Sequence, residues 1–229
     1  VNEGLDVADL WLVAATTARL AGLTTAILLV LATPLAWWLA RSRAAWKEAI
    51  GAVTALPLIL PPSVLGFYLL LALAPTSPLM VLLAPLGVRS LAFTFPGLVI
   101  GSMVYSLPFA VQPIRNAFHA MGDEPWEQAA TLGAAPLEAF FRVAVPAARR
   151  GFLTAAVLVF AHTVGEFGVV LMIGGAIPGQ TEVLSVRIWR LVETMHFGQA
   201  HLIAAAMVIF AFLVMTATFL LERRGAQEN

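Results

Sequence analysis

The sequence predicts an all-α, polytopic helical bundle in a membrane, with about five spans and a two-helix elbow on one side. Three observations carry this reading. Apolar residues make up 60% of the chain and charged residues 11%, with a mean hydropathy of +0.90, whereas a soluble domain is about 25% charged. Five stretches stay apolar for the ~20 residues that a helix needs to cross the hydrocarbon. One long interruption, DEPWEQAATLGAAPLEAFFRVAVPAARR (Asp123–Arg150), is amphipathic and charged. The length suits one transmembrane domain over 1–229 rather than two domains.

The spans are predicted at about 10–40, 49–73, 95–118, 152–173 and 201–221. The first ten residues are acidic and lack a basic leader, so no cleavable signal is expected and the first run reads as a retained span. Trp37, Trp38 and Trp46 beside Arg41 and Arg43 read as an interfacial aromatic belt. In the second span Pro57, Pro61 and Pro62 remove backbone donors and bend the helix. The third carries Pro108 and Pro113. A loop over 75–94 follows the second span, and a connection over 174–200 follows the fourth. No internal repeat and no low-complexity tract stands out.

The elbow, 119–150, reads as two short helices about a turn. Pro125 suits a first helical turn, where its missing N–H is no loss, and Asp123, Glu124 and Glu127 place negative charge at that positive end. Gly133 suits the left-handed residue that ends a helix. Pro136 opens the second helix, where Leu137, Phe140, Phe141 and Val145 fall on one apolar face. Pro146 then breaks or kinks it. Such a face outside the bilayer needs a partner to cover it. A helix lying on headgroups would carry a Lys/Arg-rich polar face, whereas this one is led by acids.

Orientation follows from the cations. Arg41, Arg43, Lys47, Arg115, Arg142, Arg149, Arg150, Arg223 and Arg224 fall on the elbow side, and Arg19, Arg89, Arg187 and Arg190 on the other. The elbow and the C-terminus are therefore expected in the cytoplasm, and the N-terminus in the periplasm. Zero net charge gives no argument for nucleic acid, and the absence of cysteine removes disulfides and thiolate metal sites. His119, His162, His196 and His201 are scattered, and no P-loop or catalytic constellation is visible. Neither a cofactor nor an enzymatic activity is expected.

The elbow resembles the EAA loop of bacterial ABC-importer permeases, whose pattern is Glu-Ala-Ala, three residues, Gly, nine residues, then Ile-x-Leu-Pro. Here it stands as Glu127-Gln128-Ala129, then Gly133, then Val143-Ala144-Val145-Pro146, with the spacing intact and three mild departures at Gln128, Val143 and Val145. ALPLILPPSVLGFYLL (55–70), SLPFAVQPIRNAF (106–118) and GEFGVVLMIGGAIPGQTEVL (165–184) are similar to segments of molybdate permeases. The resemblance implies two copies of the chain forming a pore in the inner membrane and two cytoplasmic ATP-binding subunits gripping the elbows. It also implies a periplasmic oxyanion-binding protein delivering molybdate, or tungstate or sulfate, which are also tetrahedral dianions. Glu127, Ala129, Gly133, Leu137, Phe140, Phe141 and Pro146 are then the coupling residues.

Glu166 lies some 16 residues beyond Arg150, roughly 24 Å along a helix at about 1.5 Å per residue. Ionisable groups at that depth face a cavity or a partner rather than lipid. Two readings stand: a pathway or gate residue, or a hydrogen-bonded residue at a subunit interface with Gly165 and Gly168 permitting close packing. A carboxylate repels an oxyanion, so Glu166 reads as an organiser rather than a ligand. Pro61 and Pro62 either shape the pore wall or curve a packed helix. Arg187 and Arg190 either attract the anion or the binding protein, or anchor the interface. A channel or secondary transporter would favour internal repeats and midplane breaks in paired halves, and the prolines of the second span have no matching half. A structural scaffold would have no use for the EAA spacing.

Overall fold

The computed structural model describes residues 7–226, with side chains through 219. Arg223 and Arg224 of the cation count, and the acidic residues at the extreme N-terminus, lie outside the described side chains. The chain is all helical: α1 (Val7–Arg41), α2 (Lys47–Ala55), α3 (Pro62–Leu73), α4 (Pro78–Leu83), α5 (Phe95–Met121), α6 (Glu124–Thr131), α7 (Pro136–Ala139), α8 (Val145–Ala147), α9 (Arg149–Gly165), α10 (Gly168–Gly174), α11 (Leu184–Glu193) and α12 (Phe197–Ala226). Among the described residues four segments are long and apolar enough to cross a membrane: Val7–Arg41, Pro62–Leu86, Phe95–Met121 and Phe197–Phe219. A fifth crossing arises if Pro136–Ala147 and Arg149–Gly165, bent by 68° to each other, count as one.

The centre of the bundle is α5. In its most apolar window 56% of residues are buried, against 33% in α1 and 11% in α12. Lipid is as apolar as a leucine side chain, so close packing rather than water exclusion holds such helices together. Leu28, Ala32, Ala36 and Leu39 of α1 meet Ala110, Val111, Ile114 and Phe118 of α5 and Ala155 and Val159 of α9 in one buried cluster. The alanines let backbones approach. Where α9 begins, a side chain at Gly151 would stand 2.7 Å from the carbonyl oxygen of Pro113 and 2.4 Å from the Ala117 methyl, so only glycine fits there. Three hydroxyls on α1 are satisfied within the helix: Thr16, Thr17 and Thr25 donate to the carbonyls of Leu12, Val13 and Ala21 at 2.9, 2.8 and 2.7 Å, whereas the buried Thr24 hydroxyl has no partner.

Two of the expected spans are not continuous helices. The stretch 49–73 divides into α2, a 3₁₀ turn at Leu56–Leu58 and α3, because Pro61 takes an extended backbone (φ −55°, ψ 134°) and the helix restarts at Pro62. Prolines in sequence leave too few amide donors to keep the ladder unbroken. The stretch 152–173 divides at Glu166 and Phe167 into α9 and α10. The loop 75–94 is partly helical, with Ser77 capping α4 by accepting from the Met80 amide at 3.1 Å.

The end of the bundle away from the elbow is tied by an ion network. Arg187 donates through Nε and Nη2 to the two oxygens of Glu182 at 2.8 and 3.0 Å and through Nη1 to Asp9 at 2.6 Å, and Arg190 reaches Glu182 at 2.7 Å. Burial disfavours the Arg187 charge, but Asp9 and Glu182 outweigh it and hold the guanidinium ionised. Glu182 is fully buried, so Glu182→Ala removes the carboxylate that Arg187 and Arg190 share and leaves Arg187 with Asp9. Breaking a buried pair costs about 3–5 kcal/mol, and we expect a marked drop in the thermal unfolding midpoint of the purified protein. An unchanged midpoint would show that the network contributes little to stability.

Candidate functional site

The elbow is built from turn chemistry. α6 ends in a left-handed glycine cap: Gly133 has φ +83°, its amide donates to Ala130 at 3.0 Å, and the Ala134 amide reaches back to Ala129 at 3.0 Å. That pair of bonds is the Schellman motif. Pro136 opens α7 as expected, and Pro146 sits at the start of α8, just before the 68° bend at Ala148. Between α7 and α8 the chain makes a π-helical turn at Phe140–Ala144.

That turn corrects the expected apolar face. Leu137 and Phe141 point outward, 70% and 62% exposed, and are joined by Leu132 at 87%. Phe140 does not share their face. Its ring packs inward against Trp37 at 5.2 Å and Phe118 at 6.1 Å. An offset of three or four marks one face only while the helix keeps 3.6 residues per turn, and the wider π turn breaks that relation. Ala129 is buried beneath α6, and Glu127 is exposed at its first turn.

Sequence reasoning missed what holds the elbow to the bundle. Trp37 of α1 packs against Trp126 of α6 at 5.0 Å, and edge-on against Phe118 of α5 at 4.9 Å. The Arg41 guanidinium lies 4.7 Å from the Trp37 ring and 5.2 Å from the Trp126 ring, and pairs with Asp123 at 2.8 Å. A cation held by two indoles and a carboxylate joins the end of α1 to the start of the elbow. The available signal was the four-residue offset of Trp37 and Arg41, which puts them on one helical face. Only Trp38 and Trp46, paired at 4.8 Å, are left as the aromatic belt.

Within the bundle, the break at Glu166 opens beside a cavity of ≈ 440 Å³ lined by Pro62, Tyr105, His162, Gly165, Glu166 and Gly168. Glu166 is 3% exposed, and its carboxyl group lies near the buried Ser102 hydroxyl without a hydrogen bond of normal geometry to it or to any other group. Nearby, the Ser106 hydroxyl meets His162 Nδ1 at 2.9 Å and the Thr163 hydroxyl at 3.2 Å. Gly168 abuts α3: a side chain there would stand 2.7 Å from Pro62 Cβ. Gly165 has nothing within 4 Å of such a position, so within this chain the close approach is at Gly168. Pro61 is exposed and does not line this cavity. Arg187 and Arg190, engaged with Asp9 and Glu182, are structural ties in this chain.

A second cavity, ≈ 550 Å³, lies further along the same two helices towards the elbow. It is lined by Gln112 and Asn116 of α5 and Arg150 and Thr154 of α9, with Leu58 closing one side. Along α5, residues 105, 109, 112 and 116, and along α9, residues 150, 154, 158, 162 and 166, run as stripes that pass from one cavity to the other. Phe109 and Leu158 interrupt the polar residues between the two cavities. The arrangement offers a route rather than reaction chemistry.

Comparison with known proteins bears on both features. The model of the family described as "Binding-protein-dependent transport system inner membrane component" matches residues 32–226. The chain is 59% identical to the molybdenum transport system permease protein ModB of Azotobacter vinelandii, over 89% of this chain and 90% of that protein. It is 30% identical to the sulfate transport system permease protein CysT of Synechocystis sp., over 91% and 72%. A crystal structure of a bacterial ABC transporter involved in alginate import superposes with a TM-score of 0.75 at 16% identity, covering 94% of this chain and 79% of that one. At that identity the likeness is one of fold.

Proposed function

We propose a function from one premise: the chain belongs to the family of binding-protein-dependent transport system inner membrane components. It is a multi-pass inner-membrane protein, the permease subunit of a molybdate ABC importer, and a transport subunit rather than an enzyme. Permeases of this kind work with an ATPase and a periplasmic binding protein. We infer further that two copies of the chain line one pathway and that each elbow docks on one of two cytoplasmic ATPase subunits. The N-terminus then lies in the periplasm and the C-terminus in the cytoplasm.

The observation that supports docking is the outward face of Leu132, Leu137 and Phe141, large apolar groups exposed on the elbow from the capped end of α6 to the π turn. The coupling step follows from the attachment. ATP binding closes the ATPase pair and draws the two elbows together. Trp126 and Asp123 are fixed to Trp37 and Arg41, so α1 moves with α6, and the bundle opens to the periplasm to receive the oxyanion. Hydrolysis returns it. Sulfate and tungstate share the shape and charge of molybdate, and the binding protein does the selecting.

Reconstitution tests the reading. Proteoliposomes holding this permease and its ATPase should accumulate molybdate only with ATP and a molybdate-binding protein. Uptake that ignores ATP would overturn it in favour of a channel or secondary transporter. Orientation has its own check: alkaline phosphatase inserted after Gly87 should be active and after Gly122 inactive, and the reverse pattern would invert the topology.

A further inference from the structure

We propose that the oxygens of Glu166, Ser102 and Thr24 bind one alkali-metal cation inside the bundle, at the break between α9 and α10. All three side chains are buried. Four of the five buried side-chain polar atoms that lack a hydrogen bond among the described residues belong to them, so the unmet polar demand is concentrated in one region. The positions converge. α1 and α5 run side by side in the same direction, from Arg19 against Phe95 at 5.6 Å to Trp37 against Phe118 at 4.9 Å. Thr24 lies five residues past the first of these contacts and Ser102 seven, about 8 and 11 Å along helices that rise about 1.5 Å per residue. The two hydroxyls therefore stand at one level of the α1–α5 seam, and the Glu166 carboxyl group lies near Ser102. Thr16, Thr17 and Thr25 give their hydroxyls to the carbonyl one turn back, whereas Thr24 does not.

The donor set selects the ligand. A carboxylate removed from water needs an opposite charge or a proton. No Lys or Arg lines the cavity beside Glu166. His162 shares that cavity, but its Nδ1 meets Ser106 and its ring lies against Tyr105 and Phe109. Nor does the carboxylate cap α10. Water would serve the hydroxyls and leave the charge. A proton would cancel the charge and occupy one oxygen only. A singly charged metal ion does both, because it takes lone pairs from the carboxylate and the two hydroxyls at once. Oxygen donors suit a hard cation, and one carboxylate matches one positive charge. The negative, C-terminal end of α9 lies at the same break, and ends of interrupted helices hold sodium in other membrane transporters. The ≈ 440 Å³ cavity gives the ion a way in. Bound there, it ties α1 and α5 to the break. It also cancels a charge that would repel an anion in the pathway, a consequence that rests on the reading of the chain as an oxyanion permease.

The test uses the purified permease–ATPase complex, nucleotide-free, in a sodium-free organic-cation buffer at mildly alkaline pH, with radiolabelled sodium in equilibrium dialysis. The wild-type complex should bind sodium saturably, and sodium added at constant ionic strength should raise its unfolding midpoint. Glu166→Gln keeps the shape of the side chain without its charge and should abolish both effects. Ser102→Ala and Thr24→Val should each weaken binding about tenfold. Ser90→Ala, which removes a hydroxyl bonded to the Leu73 carbonyl, should leave binding unchanged. If Glu166→Gln fails to assemble, Ser102→Ala and Thr24→Val carry the test, since loss of a hydroxyl that binds nothing leaves the sodium response intact. Absence of saturable sodium binding, or binding that survives Glu166→Gln or both hydroxyl variants, overturns the site. A midpoint that follows pH but not sodium puts a proton on Glu166 instead and overturns it as well. These measurements need no cargo, so failure of molybdate import by proteoliposomes would overturn the permease reading and leave the cation site standing.

Discussion

Replacing Leu137 and Phe141 together by aspartate should abolish molybdate uptake and release the ATPase from the permease on purification. Both side chains are exposed on the outward face of the elbow, so the substitution leaves no cavity and buries no charge in the unbound chain. The Phe141 ring meets Phe140 edge-on at 5.2 Å, and Phe140 keeps its packing on Trp37 and Phe118 without it. In the complex the same aspartates would lie in a contact meant for apolar groups, and a desolvated, unpaired charge is among the costliest changes an interface can suffer. The permease should be present in the membrane at near-normal amounts. Phe140→Asp serves as the contrast. Phe140 packs against Trp37 and Phe118, so that change should lower the amount of folded protein. If the Leu137/Phe141 double variant keeps its ATPase, the outward face is not the docking surface.

Gly133→Val should separate ATP hydrolysis from transport. Gly133 adopts φ +83°, where a β-branched residue is strained, yet an added Cβ would meet nothing within 4 Å. The effect is therefore backbone strain without a clash, on the order of 1–3 kcal/mol. That is too little to unfold a packed bundle but enough to open the Schellman cap and change the angle between α6 and α7. Leu132 would then lose its fixed relation to Leu137 and Phe141. Asparagine tolerates the left-handed region, so Gly133→Asn should retain most of the uptake. The check is the ratio of molybdate imported to ATP hydrolysed, which should collapse for valine and largely survive for asparagine. Normal uptake by Gly133→Val would show that the angle at this turn does not matter to coupling.

The elbow was largely legible in the sequence because its determinants are local. A glycine cap, a proline three residues later and acids at a helix start act within a few residues of each other. The spans were legible for a similar reason, since hydropathy is additive along the chain. Contacts between distant segments were not. Trp37 and Trp126 meet only because α1 and α6 end at the same level of the bundle, and no spacing rule connects them. Phe140 was misassigned because its face was counted at 3.6 residues per turn across a π turn. The breaks at Pro61 and Glu166 show two different cases. Consecutive prolines announce the first, whereas the second is marked only by the flanking Gly165 and Gly168, which lower helix propensity without forcing a break. Gln112, Asn116 and Thr154 were passed over, although polar residues at an offset of four in an apolar span are a readable signal.

Docking of the elbow on the ATPase is directly measurable because of the chain's composition. The chain contains no cysteine, so one introduced thiol is its only thiol. With Leu137→Cys and a bifunctional thiol-to-amine reagent of short reach, membranes containing the full transporter should yield a crosslinked species of one permease and one ATPase chain. Phe212→Cys, exposed on α12, should yield none. Crosslinking from α12 but not from Leu137, or from neither in a complex that transports molybdate, would contradict the assignment of the elbow as the coupling surface.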